Sequence, residues 1–160
     1  MDKWLAFDIE TAAAPPTAHD GNYAIGVTCA VAYPEDRDCP VRWAGTVQPD
    51  GRYRMRMQAE NSQDIALYLC KSVDLDYKIV SINGAGFDFR VLAAECQHPE
   101  IEAALKDLAL DHYDPCFQML CQRGFRVGLD ALARGFGLGG KTEGMDGSKA
   151  AAQWFGTRED

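Results

Sequence analysis

Two carboxylates one residue apart, Asp8 and Glu10 in Asp8-Ile9-Glu10-Thr11, carry the strongest chemical signal in the sequence. In an extended strand, residues two apart project to the same side, so Asp8 and Glu10 converge while Ile9 points into the core. Two like charges at the end of an apolar strand repel one another. A divalent cation between them turns that repulsion into a site, since magnesium accepts a few carboxylate oxygens and leaves positions for water and phosphate. Taken alone, the tetrapeptide reads more simply as a polar strand end with two solvated acids. A second segment changes the balance: Ser81-Ile82-Asn83-Gly84-Ala85-Gly86-Phe87-Asp88 joins an apolar strand to a helix. Ligands of α/β sheets gather at the carboxyl ends of strands. If the strands ending near Glu10 and Ile82 are parallel neighbours, Asp8, Glu10 and Asp88 meet at one sheet edge. A plain helix cap is the other reading of Asp88.

The elements that must position these acids are legible in outline. Trp4 to Ile9, Tyr23 to Tyr33, Val41 to Gln48 and Tyr77 to Ile82 read as strands, the third closed by the turn Pro49-Asp50-Gly51. Pro15, Pro16, Asp20 and Gly21 mark the loop after the first. Asn61 and Ser62 are candidate caps for a helix that turns Ile65, Tyr68 and Leu69 inward. Asp88 opens a helix with Phe89, Leu92, Ala93 and Cys96 on one face, after a loop that needs the freedom of Gly84 and Gly86. A further helix follows Pro99, with Ile101, Leu105 and Leu108 inward. Leu129, Leu132, Ala133 and Phe136 repeat the spacing before Gly137, Gly139 and Gly140 stop the run. Strands first, then helix, strand and helices, predict an α/β fold whose mixed sheet is flanked by helices, in one domain.

Composition sets the boundaries. The 160 residues are 47% hydrophobic and 25% charged, which suits an ordinary globular domain and excludes a disordered chain. No apolar run is long enough to span a bilayer, and the first residues have no signal-peptide layout, so a cytoplasmic location is expected. The net charge of −8 opposes nonspecific attraction to a polyanion, but metals bound to an acidic cluster reverse the local sign. None of the six cysteines forms a C-x-x-C pair. His112, Cys116 and Cys121 are close in sequence, yet buried reduced thiols explain these cysteines better than a zinc site does. Arg52, Arg54 and Arg56 alternate with Tyr53, Met55 and Met57, reading as a solvated edge strand or, more sharply, a phosphate-contacting face.

On Asp8-Ile9-Glu10-Thr11 and on the loop Asn83-Gly84 … Phe87-Asp88, the sequence resembles the DEDD exonucleases, the DnaQ-like, ribonuclease-H-like family of polymerase proofreading domains and their free-standing relatives. Gly128-Leu129-Asp130-Ala131-Leu132-Ala133 and Gly137-Leu138-Gly139-Gly140-Lys141-Thr142 look like the segment that precedes the family's third motif. The resemblance implies a ribonuclease-H-like fold and 3′→5′ hydrolysis of single-stranded DNA or RNA. It implies two Mg2+ or Mn2+ ions held by Asp8, Glu10 and Asp88, with Thr11, Asn83 and Phe87 near the terminal nucleotide, although Phe87 also reads as plain core. Expected partners are nucleic-acid 3′ ends and a polymerase or helicase, with no membrane and no organic cofactor. A non-catalytic nucleic-acid-binding or docking module and a ribonuclease-H-like endonuclease are the rival readings.

The third motif, a carboxylate preceded by tyrosine four residues earlier or histidine five earlier, is missing at both spacings. The segment before it looks most like the tyrosine variant. The sequence therefore reads as a shortened product of a longer gene, without its C-terminal helix, the alternative being a protein that works without that motif. Nothing around Asp146, Glu159 or Asp160 supports them as substitutes. Asp114 reads as a helix cap more readily than as part of the site. Loss of one carboxylate weakens metal binding, and loss of the Tyr or His removes the group that orients the attacking water, so weak activity is expected.

Overall fold

The computed structural model describes residues 3–17, 21–45 and 56–140. In chain order the elements are β1 (Lys3–Thr11), β2 (Val27–Pro34), β3 (Val41–Ala44), α1 (Ala59–Asp74), β4 (Tyr77–Val80), α2 (Asp88–Cys96), α3 (Pro99–Asp111), α4 (Pro115–Arg123) and α5 (Leu129–Gly135). The sheet order is β3-β2-β1-β4, antiparallel at β1–β2 and β2–β3 and parallel at β1–β4. This is an α/β architecture with a mixed sheet, as the sequence predicts.

Strict alternation shapes β1. Leu5, Phe7, Ile9 and Thr11 are buried, while Trp4, Ala6 and Asp8 are exposed and Glu10 is half-buried. Each apolar side chain on the inner face contributes about 1.5–3 kcal/mol on burial. That face meets Ile65 and Leu69 of α1, Phe89 and Leu92 of α2, and Leu105 of α3 in one core. The Phe7 and Phe89 rings stack with centroids 6.1 Å apart, which fixes α2 against the middle of β1.

The parallel pairing of β4 with β1 runs only from Lys3↔Tyr77 to Ala6↔Val80. β1 continues to Thr11 along β2, so its last residues have a neighbour strand on one side only. Beyond β4, Tyr113 forms an isolated parallel bridge with Val80. Its N–H donates to the Ile79 carbonyl at 2.9 Å, and its carbonyl accepts from Ser81 N–H at 3.2 Å. This one-residue extension brings the α3–α4 junction to the carboxyl end of β4.

Several expectations need correction. β2 starts at Val27 instead of Tyr23, because Gly26 (φ 81°) breaks the extended run. The β4 strand stops at Val80, two residues early. The N-cap of α1 is Gln58, not Asn61 or Ser62: Asn61, the third helical residue, completes the capping box by accepting from the Gln58 N–H at 3.3 Å, and Ser62 is buried. α4 was not foreseen; it is nine residues long and buries only Cys116. Leu129, Leu132, Ala133 and Phe136 do not form an inward face: no side chain of α5 is buried, and Phe136 is 75% exposed. Their spacing is helical, but Leu132 and Ala133 are only half-buried and Leu129 is exposed. Residues 46–48 of the third strand, the turn at Pro49-Asp50-Gly51, Asp20, Arg52 and Arg54, and Lys141, Thr142, Asp146, Glu159 and Asp160 lie outside the described residues; Arg56 is exposed.

Candidate active site

The loop between β4 and α2 carries Asp88 to β1. Asp88 is the first residue of α2, after the N-cap Phe87, and no side chain caps that end of the helix. Its Oδ1 accepts the Ile9 N–H at 3.1 Å. The cause is the unequal strand length: past the point where β4 stops, a backbone donor on β1 needs an acceptor, and a buried unpaired N–H costs about 1–3 kcal/mol. Asp88 is therefore no helix cap. It lies against the residue between Asp8 and Glu10.

Electrostatics ties the acids together. Burial pushes the Asp88 carboxyl up to about 7, the charge of Asp8 adds to this, and Asp114 adds a smaller contribution; the Ile9 N–H partly opposes them. Asp88 is only 2% exposed. Asp8 and Glu10 share the outer face of β1, and both charges reach Cys29, which sits opposite Glu10 in the β1–β2 register. Burial, then Glu10, and more weakly Asp8, push the Cys29 thiol up, while the Thr28 side chain opposes them. Nothing in the sequence singled out Cys29.

The glycine expectation for the loop is corrected in detail. Its left-handed residue is Asn83, at φ 62°. Gly84 is needed for room: a Cβ there would collide with Ser81 Oγ and come within 3.0 Å of His112 Nε2 and of the Phe89 ring. Gly86 lies so near Asn83 Oδ1 that a Cβ would stand 2.7 Å from it. The Asn83 side chain is half-buried, and Phe87, also half-buried, packs against the core. Thr11 is buried, with its hydroxyl donating to the Ala13 carbonyl at 2.9 Å, just after an irregularity in pairing between Glu10 and Thr11. Another buried acid, Glu95 of α2, accepts the Gly26 N–H at 2.8 Å, and Gly26 in turn accepts from Ala12 N–H at 2.8 Å. One helix thus anchors both the end of β1 and the approach to β2.

Asp114 caps α4, with Oδ1 accepting from Cys116 and Phe117 N–H groups. A cleft of about 300 Å³ opens beside it, lined by Asn83, Tyr113, Asp114, Phe117 and Arg126 among others; Asp8, Glu10 and Asp88 do not line it. His112, Cys116 and Cys121 do not gather: His112 Nδ1 faces the Ala109 carbonyl at 2.8 Å, Cys116 is buried, and Cys121 is exposed, which corrects its expected burial.

Carboxylates are the right donors for a hard divalent ion, and Asp88, raised by burial and by Asp8, is in the electrostatic state that a cation relieves. Among the described residues, no three His, Cys, Asp or Glu side chains stand close enough to hold one ion. The fit is therefore one of donor type and shared charge.

No helix of the described residues is long and apolar enough to cross a membrane. The family B DNA polymerase from the hyperthermophilic archaeon Pyrobaculum calidifontis is similar in structure, with a TM-score of 0.64 at 18% identity, over 97% of this chain and 21% of that one. Apo exonuclease I is similar with a TM-score of 0.54 at 14% identity, over 99% of this chain and 42% of that one. The exonuclease I of an ExoI/SSB-Ct complex gives 0.54 at 15% identity, over 99% and 42%. The chain thus spans less than half the length of each of these proteins, and at such identities the likeness is one of fold. No curated protein matches the sequence. The RNase_H superfamily profile matches residues 5–158, nearly the whole chain. On that match, the chain belongs to the RNase_H superfamily.

Proposed function

We propose that the chain is a metal-dependent 3′→5′ exonuclease of the DEDD type, hydrolysing phosphodiester bonds at the 3′ end of single-stranded DNA, with RNA as the other candidate substrate. The observation that supports this most is the hydrogen bond between Ile9 N–H and Asp88, which sets a third carboxylate against the residue between Asp8 and Glu10. The fold shared with a DNA polymerase and with exonuclease I agrees with this reading.

Mg2+ or Mn2+, two ions in this proposal, would supply charge neutralisation at the phosphate and an acidified water when bound. The chain's own residues set the frame. Asp8 and Glu10 present their oxygens on the outer face of β1, and Asp88 adds its own from the loop side. Near neutral pH Asp88 is partly protonated, and an adjacent cation favours its ionised form. Asn83 and Phe87 shape the loop on which a terminal nucleotide would rest, and Thr11 closes the end of β1.

The test is degradation of a 5′-labelled single strand with Mn2+ or Mg2+. Progressive shortening from the 3′ end, abolished by Asp8→Asn, is the expected result. Cutting of a circular single strand would instead identify an endonuclease. A second reading, a non-catalytic nucleic-acid-binding module, draws support from two observations: no three ligands are gathered among the described residues, and neither third-motif spacing occurs in the sequence. Calorimetric titration with Mn2+ separates the two, since the nuclease binds the ion and loses that binding on Asp8→Ala.

A further inference from the structure

We propose that Asp114 is a positioning residue for Asp88, its carboxylate tying the Asn83–Phe87 loop to the start of α4; this rests on the reading of Asp88 as part of the site. One oxygen, Oδ1, accepts three backbone donors: Cys116 N–H at 2.9 Å, Phe117 N–H at 3.2 Å and Asn83 N–H at 3.0 Å. The first two are what any capping aspartate does for its own helix. The third serves no helix. It reaches back across the fold to the left-handed residue that begins the loop.

The carboxylate is held from behind. Its side chain is 7% exposed, and His112 Nε2 stands 3.9 Å from Oδ2. Tyr113, the residue before it, is stitched to the end of β4 through Ile79 and Ser81. Ahead of it the loop is stiff: Gly86 N–H donates to the Asn83 carbonyl at 3.0 Å, and Phe87 and Phe89 N–H groups donate to Gly84 at 3.2 and 3.0 Å. A shift of Asn83 is therefore carried to Asp88, and from Asp88 to Ile9. The sheet end, Asp114, the loop and the acid form one connected frame, and a charged acceptor makes its bonds the stronger kind.

The experiment compares Asp114→Ser, Asp114→Asn and Gln122→Gly. Serine caps a helix about as well as aspartate, but its hydroxyl is too short to reach Asn83. Asparagine keeps an acceptor at the same reach. Gln122→Gly weakens α4 from its exposed face and leaves the loop alone. The readout is hydrogen exchange of the Ile9 amide, which bonds Asp88 and no strand partner, alongside kcat and KM on a single-stranded oligonucleotide. We expect Asp114→Ser to speed Ile9 exchange by about tenfold or more and to lower kcat with KM little changed. Asp114→Asn restores both, and Gln122→Gly leaves Ile9 exchange unchanged. Ile9 exchange no faster in Asp114→Ser than in Gln122→Gly overturns the proposal. Absence of activity in the unaltered chain would sink the nuclease reading alone, because the exchange comparison still decides the tether.

Discussion

Replacing Asp88 by asparagine separates what this side chain does for the fold from what its charge costs. The amide oxygen can still accept the Ile9 N–H, so the bond at 3.1 Å has a substitute. The charge is what the fold opposes: the folded carboxyl stands at about 7 against an ordinary value of 3.8. The folded state therefore binds a proton that the unfolded chain releases between roughly pH 4 and 7. The stability linked to this group is fully present below about pH 4, declines as pH rises, and is lost above about pH 7. About three units correspond to an upper bound of about 4 kcal/mol. Asp88→Asn should then match the unaltered chain near pH 4 and exceed it by up to about 4 kcal/mol at pH 8. Urea unfolding followed by circular dichroism at several pH values, in metal-free buffer, gives the difference directly. A difference that stays flat with pH would refute the reasoning, since it would mean that burial and Asp8 do not act on this carboxyl.

Three further outcomes follow from the same geometry. Millimolar Mn2+ should stabilise the unaltered chain at pH 8, by about 2.7 kcal/mol at one hundred times the dissociation constant, and leave Asp8→Ala unmoved in thermal scans. Gly84→Ala should destabilise by about 1–3 kcal/mol in urea titrations, because the added methyl meets Ser81, His112 and Phe89 together. Glu95→Ala, which leaves the buried Gly26 N–H without its acceptor, should cost about 1–3 kcal/mol, while Glu95→Gln, able to keep that bond, costs much less by the same measurement.

What the sequence disclosed depended on whether a pattern had a surface to answer it. Alternation in β1 and the 3.6-residue spacing in α2 and α3 were legible because each faces the core. The same spacing at Leu129 to Phe136 misled, since periodicity reports a helix and says nothing about what lies opposite. α4 went the other way: Asp114 as cap, Pro115 at the first turn and Gly124 at φ 79° marked both of its ends, but it is short and only its Cys116 is buried in the fold. For the site, the common face of Asp8 and Glu10 follows from strand geometry alone. The bond of Asp88 to Ile9 depends on where β4 stops against β1, a register that no local pattern encodes. The same holds for Cys29, which meets Glu10 only through antiparallel pairing with β2.

The absence of buried side chains in α5 bears on how the molecule opens. A helix of only seven residues gains little from its own backbone bonds, so with no fully buried side chain its unfolding is expected to couple weakly to that of the sheet. Native-state amide exchange should therefore resolve two cooperative units. One comprises β1, β2, β4 and helices α1 to α3, whose central amides exchange only through global unfolding; the other is α5, whose amides exchange at far lower free energy and with a weaker dependence on denaturant.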